Sequence, residues 1–457
     1  MTTFWKNELR AGTRFVLREN PLARRLLADL RANEALSAPA LQEIALRHLQ
    51  RSMRHAIAHV PAYAHIDPAF PLEHTLSVLQ DQFPIIDKLA LLQQRGRFYP
   101  RGGVRRPWEA VGKTSGTTGT PLSVWRSARS VLMENAFLHR HWAWSGYRHG
   151  MTRASLRGDM VVPLERRSPP FWFWNRYDRQ LLLSSRHLTE ACVDAMIDAL
   201  EQHAPVLLQA YPSTAYALAG FLARRGRFLR IPYVYTASEP LYPHQRELIL
   251  ERLGCTVMDM YGMAERVAFA TECEFGAMHI NPDYSHVEIV DEHGQPTSGY
   301  GSVVGTTFHN LAQPLLRYRL SDQTRWKPGH CPCGRHFPMI EGVTGKLEDS
   351  ISGGDGTPVS PSVLTFAFKG VENILKSQVA QVAPGRWEIR LVPAPAFSDA
   401  DRLRLVDNVH HLVDASVHID VVLKQQLPNT AAGKFRWVVN EMSTGSSAAP
   451  GGGISAN

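Results

Sequence analysis

The sequence predicts a layered α/β protein followed by a smaller α+β unit, and three observations carry that prediction. Between Pro205 and Gly305, short β-rich runs alternate with helical stretches, the pattern of a largely parallel sheet. A turn cluster, Gly353-Gly-Asp-Gly-Thr-Pro358, then interrupts the chain before a second, shorter series of helices and strands. With 457 residues, 44% hydrophobic and 20% charged, the chain is long and apolar enough for two to four units with a sizeable core, which excludes a disordered or fibrous protein.

Residues 1–65 read as a helical leader, because Leu22, Leu26, Leu27 and Leu30, and then Leu41, Ile44, Ala45 and Leu49, recur at helical spacing. Arg10, Arg14, Arg18, Arg24 and Arg25 lie between these apolar positions. Peripheral membrane contact is one reading of them, and packing on the chain's own domain is the favoured one. Residues 104–126 read as strand, glycine-rich turn and strand, and residues 127–145 as a helix with Phe137, Trp142 and Trp144 on an aromatic face. Strands are expected at Val206-Leu-Leu, Tyr233-Val-Tyr, Thr256-Val-Met and Val287-Glu-Ile-Val, with helices at 213–225 and 242–253 between them. A domain boundary is placed near 345. Beyond it come a helix near 361–368, strands near 376–382 and 387–392, a helix at 399–414 and a strand at 418–424. This divides the chain into an N-terminal domain, 1–345, a small C-terminal domain, 346–442, and a tail, 443–457, whose Gly, Ser and Ala content reads as disordered.

The net charge is +8, from 50 basic and 42 acidic residues. The basic residues are spread along the chain, so nucleic acid is not an expected partner. No apolar run reaches the roughly eighteen residues of a membrane span, and Met1-Thr-Thr-Phe-Trp-Lys lacks the order of a secretory signal. Five cysteines in a chain this long do not make a disulfide scaffold, so a cytoplasmic location is expected.

Four motifs carry chemistry. Lys113-Thr-Ser-Gly-Thr-Thr-Gly-Thr-Pro121 offers backbone N–H groups and hydroxyls that can wrap phosphate oxygens. Tyr261-Gly-Met-Ala-Glu265 follows an apolar run, so a strand end would present an aromatic ring to stack a purine and a carboxylate to hold Mg²⁺. In Leu316-Arg-Tyr-Arg-Leu-Ser-Asp322, an aspartate just past a strand suits two ribose hydroxyls. In Pro428-Asn-Thr-Ala-Ala-Gly-Lys434, a lysine on a glycine-bearing turn can neutralise charge developing on a phosphoryl group. Each motif alone has an ordinary structural reading: a solvated loop, a buried Tyr, a salt-bridged strand end or a surface lysine.

In this order and with these spacings, and with Tyr211-Pro-Ser213, Ser238-Glu-Pro240 and Cys331-Pro-Cys-Gly334 beside them, the chain resembles the adenylate-forming superfamily from about residue 40 to 440. Within it the resemblance is to the phenylacetate–CoA ligase branch, which includes capsule-biosynthesis ligase-like proteins. It implies a large adenylation domain of layered sheets and helices with a small mobile α+β domain behind it. It also implies that Ser115, Gly116, Thr117, Thr118 and Gly119 cradle ATP phosphates. Ser238, Glu239 and Pro240 would border the adenine, with Tyr261 and Gly262 against it. Glu265 would hold Mg²⁺, Asp322 the ribose, and Lys434 would be the adenylation lysine. Tyr211 and Ser213 fall in the acid pocket, as Phe171-Trp-Phe-Trp174 also would unless that run is ordinary core.

The family pattern is broken at three places. Ala264 stands where Thr or Ser is usual. Lys346 and Glu348 occupy the Gly-Arg-x-Asp hinge region, and one extra residue lies between Asp349 and Gly356, where pantetheine would approach. The expected activity is formation of acyl-AMP from a small carboxylic acid, then transfer to CoA. A second reading gives the acyl group to an amine, a hydroxyl or a carrier-protein thiol, and a third is a non-enzymatic, basic, zinc-containing binding protein. Cys273, His279, Cys331 and Cys333 form a donor set suited to structural Zn²⁺, with buried thiols and a core histidine as the alternative. Relatives in this branch support zinc, and the resemblance also makes a homodimer the expected assembly.

Overall fold

The computed structural model describes residues 3–113, 122–157, 161–163, 166–343, 351–354, 358–359, 367–368, 371, 373–412, 416–427 and 436–442. It divides into two compact units, Met1–Leu241 with Gln245–Val343, and Thr344–Asn457 with the short segment Tyr242–His244.

The first unit opens with helices α1 (Thr3–Arg18), α2 (Pro21–Ala32) and α3 (Ala38–His59). Asn20 starts α2 by accepting from the Ala23 backbone N–H at 2.9 Å, with Pro21 at the first helical position, where its missing N–H costs nothing. Leu26 and Leu30 bury the inner side of α2 against the later helix α7 (Ala128–Trp144), in one cluster with Met133 and Phe137. Three short helices, α4 (Thr75–Gln82), α5 (Lys88–Gln93) and α6 (Arg95–Phe98), lead to a two-stranded hairpin of β1 (Ala110–Lys113) and β2 (Ser123–Arg126).

A ten-stranded sheet forms the centre. Its middle is parallel: β5 (Gln180–Ser184), β3 (Arg153–Arg157), β6 (Leu207–Ala210), β7 (Tyr233–Ala237) and β8 (Thr256–Gly262), in that spatial order. Helices α8 (Val193–His203), α9 (Pro212–Arg224) and α10 (Pro243–Leu253) alternate with these strands. Leu208 and Val234, from β6 and β7, are fully buried with Leu218 and Leu222 of α9 and Ile249 of α10, so both the strand and the helix patterns read from the sequence face one core. Antiparallel strands flank this middle: β4 (Trp172–Asn175) on one edge, and β9 (Phe269–Glu272), β10 (Met278–Ile280), β15 (Met339–Ile340) and β14 (Trp326–Lys327) on the other. A separate antiparallel sheet of β11 (Ser285–Val290), β12 (Gly301–Thr307) and β13 (Tyr318–Thr324) shares a core with α3, where Met53 and Ala56 are fully buried.

The second unit contains β16 (Ile351–Ser352) paired with β17 (Pro358–Val359), and a four-stranded sheet ordered β20-β19-β18-β21. Its strands are β18 (Ile374–Ala383), β19 (Arg386–Pro393), β20 (His418–Leu423) and β21 (Val438–Asn440). Helix α11 (Asp399–Leu412) buries Leu405 and Val409 in the same cluster as Trp387, Ile389 and Leu391 of β19. The expected helix near 361–368 falls almost wholly outside the described residues, and the tail 443–457 wholly so.

Candidate functional site

Four adjacent parallel strands deliver the first group of site residues from their carboxyl ends, where open α/β sheets bind ligands. Strand β3 ends in Arg157, β6 runs into Tyr211, β7 into Ser238, and β8 ends with Tyr261 and Gly262. Side chains then tie these ends together. The Ser213 backbone N–H donates to Glu239 Oε2 at 3.1 Å, an Arg157 N–H donates to Ser238 Oγ at 3.3 Å, and the Arg157 guanidinium lies 5.3 Å from the centre of the Tyr211 ring. Ser238 has φ 73°, a left-handed conformation uncommon for a residue with a Cβ, so the turn carrying Ser238-Glu239-Pro240 is held against a local preference.

A second group comes from β8 and the antiparallel sheet. Tyr261 Oη donates to Asp322 Oδ2 at 2.8 Å, and Tyr318 Oη donates to Glu265 Oε1 at 3.4 Å. Burial and the facing carboxylates push both phenols well above their ordinary range, so they remain donors at any working pH. Asp322 was expected just past a strand, but it lies inside β13. The reason is a register shift opposite Ser302 and Val304, a bulge that re-aims side chains within a continuing strand. The turn bearing Glu265 rests directly on β12, since a Cβ at Gly305 would collide with the Val267 carbonyl. Arg266, next to Glu265, also has positive φ, 59°. At Ala264, where the family hydroxyl is missing, the backbone carbonyl accepts from Arg126 of β2 at 2.7 Å.

Of the expected site residues, Tyr211, Ser213, Ser238, Glu239, Pro240, Tyr261, Gly262 and Glu265 lie on these neighbouring strand ends and turns, and Asp322 lies within β13. Ser115, Gly116, Thr117, Thr118, Gly119, Lys346, Glu348, Gly356 and Lys434 lie outside the described residues. The flanks of the 115–119 run, β1 and β2, pair with Lys113 opposite Ser123. The aromatic run 171–174 is core: Phe171 is 2% exposed, and Trp172 and Trp174 pack on the same cluster. Sequence reading missed Arg157. Its only signal is an arginine closing a strand of otherwise buried residues.

A third constellation lies at the antiparallel edge of the large sheet. Cys273 follows β9, His279 is in β10, and Cys331 and Cys333 sit between β14 and β15. Their donor atoms all lie within 4.8 Å of one another, with Cys273 Sγ to Cys331 Sγ and Cys333 Sγ to His279 Nε2 both 3.5 Å. Ligands of tetrahedral zinc at Zn–S about 2.3 Å stand about 3.7 Å apart, so three thiols and an imidazole at these separations fit that ion. The His279 ring is fixed from behind, Nδ1 donating to the Phe337 carbonyl at 3.0 Å, which turns Nε2 toward the sulfurs. Burial and the neighbouring thiols push Cys331 up to about 12 in the absence of a cation.

Residues 351–441 match the CapK C-terminal domain family. Protein CapK of Staphylococcus aureus is 24% identical over 340 residues, 72% of this chain and 74% of that protein. The phenylacetate–coenzyme A ligase of Thermus thermophilus is 24% identical over 463 residues, 89% of this chain and 98% of that protein. Among solved structures, a 2-hydroxyisobutyryl-CoA ligase in its postadenylation state, bound to 2-HIB-AMP, superposes with a TM-score of 0.69 at 18% identity, covering 90% of this chain and 92% of that one. Over most of its length the chain is thus similar in sequence to phenylacetate–coenzyme A ligases and to CapK, its residues 351–441 match the CapK C-terminal domain, and its fold is that of an acyl-CoA ligase.

Proposed function

We propose that the protein activates a small carboxylic acid with ATP and passes the acyl group to coenzyme A. In the first half-reaction a carboxylate oxygen attacks the α-phosphorus, the bond to the β-phosphate oxygen breaks, and pyrophosphate leaves with acyl-AMP formed. In the second, a thiolate attacks the acyl carbon and AMP leaves. The chemistry calls for aligned donors and positive charge rather than a general base.

The observation that carries this reading is that Ser238–Pro240, Tyr261, Glu265 and Asp322 come from neighbouring strands and turns, with Tyr261 bonded to Asp322 and Tyr318 to Glu265. Tyr261 holds the Asp322 carboxylate in place, and that carboxylate would accept from ribose hydroxyls. Tyr318 orients Glu265 as a ligand for Mg²⁺, which when bound would shield the phosphates' charge. Arg157, between Ser238 and Tyr211, offers a fixed cation to the carboxylate or the phosphate. Ser115–Gly119 would hold the phosphates, and Lys434 of the small mobile domain would neutralise the charge developing as pyrophosphate departs.

A second reading keeps adenylation and changes the acceptor to an amine, a hydroxyl or a carrier-protein thiol. It is favoured by the CapK relative and by the altered hinge, Gly345-Lys-Leu-Glu348. ATP–pyrophosphate exchange over aryl, fatty and amino acids tests the shared first step. Acid-dependent exchange is expected, falling about 10²–10³-fold in Lys434→Ala and in Asp322→Ala. Exchange that is absent with every acid, or indifferent to both substitutions, refutes the assignment. CoA-dependent release of AMP then selects the first acceptor, and acyl-AMP that persists with CoA selects the second.

Cys273, His279, Cys331 and Cys333 are assigned to structural zinc. Metal analysis of the purified protein should return about one zinc per chain. Cys273→Ser should lose it and lower the melting temperature of the larger unit by several degrees, while the distant Cys192→Ser keeps it.

A further inference from the structure

We propose that α1, with the basic groove at its C-terminal end, seats the protein on an anionic lipid surface. The first 32 residues carry seven basic and three acidic side chains, a net +4 of the chain's +8. The structure sorts these charges. Both carboxylates of this end of the chain that belong to α1 or its exit turn inward: Glu8 is 12% exposed beside Arg176, and Glu19 is 11% exposed beside His149. Lys6, Arg10 and Arg14 are exposed.

The helix is anchored by its opposite side. Asn7 Nδ2 donates to the Val161 carbonyl at 2.8 Å, Ala11 is buried, and the Phe15 ring lies 6.1 Å from that of Tyr177. What this anchoring leaves outside is apolar. Trp5 is 60% exposed, Leu9 65% and Val16 69%. At about 100° per residue these three positions fall within about 40° of one another, and Lys6, Arg10 and Arg14 occupy the adjoining sector. An apolar stripe with a tryptophan, bordered along one side by cations, is the surface that lies in the plane of a bilayer interface, with the cations at the headgroups.

Where α1 ends, a groove of about 390 Å³ opens between α2 and α7. Leu27, Ala136 and Ala143 line its floor, the Glu19 carboxylate also lines it beside His139 and His149, and Arg18, Arg24, Arg31 and Arg148, all four exposed, outnumber that single carboxylate on its walls. An apolar floor under arginine walls has the chemistry to take an anionic headgroup and the first carbons of its chain. Helix and groove are continuous in sequence and carry the same sign of charge. That complementarity favours an anionic bilayer over a second copy of this chain, whose matching face would carry the same cations.

The test is flotation of the full chain with vesicles of phosphatidylcholine, with and without phosphatidylglycerol. Binding is expected only with phosphatidylglycerol. It should weaken several-fold when salt rises from about 0.1 M to about 1 M, as the Debye length falls from about 10 Å to about 3 Å. Val16→Glu and Leu9→Glu should each lower the partition coefficient about tenfold, the loss of one buried aliphatic side chain. Arg24→Ala with Arg31→Ala should remove the preference for phosphatidylglycerol. The exposed substitutions should leave the melting temperature unchanged, which separates docking from folding. Absence of binding to either vesicle overturns the proposal, as does binding indifferent to Val16→Glu. A dimer in solution that dissociates with Val16→Glu also overturns it and assigns the stripe to a second copy.

Discussion

Asp283→Ala should destabilise the larger unit by about 3–5 kcal/mol, because it strands a buried guanidinium. Arg140 is 0% exposed and Asp283 1%, and the two form a paired fork, Nη1 to Oδ2 at 2.7 Å and Nη2 to Oδ1 at 2.9 Å. Nη1 of Arg140 also donates to the Leu30 carbonyl of α2 at 3.1 Å and Nη2 to the Asn281 side chain, while Asn33 donates to Asp283 at 2.8 Å. The pair thus joins α2, α7 and the segment after β10. Burial alone would raise the Asp283 carboxyl, but Arg140, with the hydrogen bonds from Arg140 and Asn33, outweighs it and holds the group below the ordinary range, so the carboxyl is charged at neutral pH. For a unit of this size the loss corresponds to a fall in melting temperature of about 4–7 °C. Replacing both partners, Arg140→Met with Asp283→Leu, should recover much of it, since no uncompensated charge remains. Thermal and urea unfolding of the three variants decide the matter. A cost below about 1 kcal/mol for Asp283→Ala would refute the account.

That network was invisible in the sequence, and the contrast with what was visible has a physical basis. Local periodicity marked α2, α3, α7, α9, α10 and the parallel strands β6, β7 and β8, because each buries one face and its neighbours in sequence reveal which, whereas β3 and β5 were not read and the expected strand at Val287 lies in the separate antiparallel sheet. Arg140 lies in an aromatic helical stretch and Asp283 143 residues further on, with no periodic signal to connect them. The same holds for Arg157, whose partners Ser238 and Tyr211 are brought to it only by the order of strands in the sheet. Composition made Cys273, His279, Cys331 and Cys333 legible as a set of possible metal donors, although their halves lie about 50 residues apart and only the adjacency of β9, β10, β15 and β14 closes the gap. Asp322 was legible as a residue and misread in its setting, because a bulge has no signature in an alternation of apolar and polar residues.

Stability should fall steeply as the pH drops from about 7.5 to 5.5, earlier than acid denaturation driven by carboxylates. Burial holds His139, His141 and His309 down to about 3 and His48 down to about 4. For His139 this outweighs a carboxylate 3.5 Å away on Glu19, because burial is joined by Arg153, His149 and Arg18. A group depressed in the folded state binds its proton first in the unfolded chain, near pH 6.5. The stabilising effect of neutrality is therefore complete above that value and is lost as the pH falls toward 3 or 4. Each of the four histidines contributes about 1.4 kcal/mol to the loss between pH 7.5 and 5.5. Asp259 works the other way. Burial pushes it up to about 7, so the folded state takes up that proton first, returning about 2 kcal/mol over the same range. Glu19 and Glu34, raised mainly by burial, also oppose the loss. These groups together give a net loss of roughly 3 kcal/mol for that interval, and His244, held down to about 4 by burial, and His286, also lowered by burial, add to it. His48→Phe keeps a ring against Phe308, 5.6 Å away between centroids, and removes one of the four titrations, so it should flatten the slope without abolishing it. Urea midpoints measured every half unit between pH 8 and 5 would read both effects. A flat profile above pH 5.5 would mean that these imidazoles reach solvent or a proton-accepting partner in the folded protein.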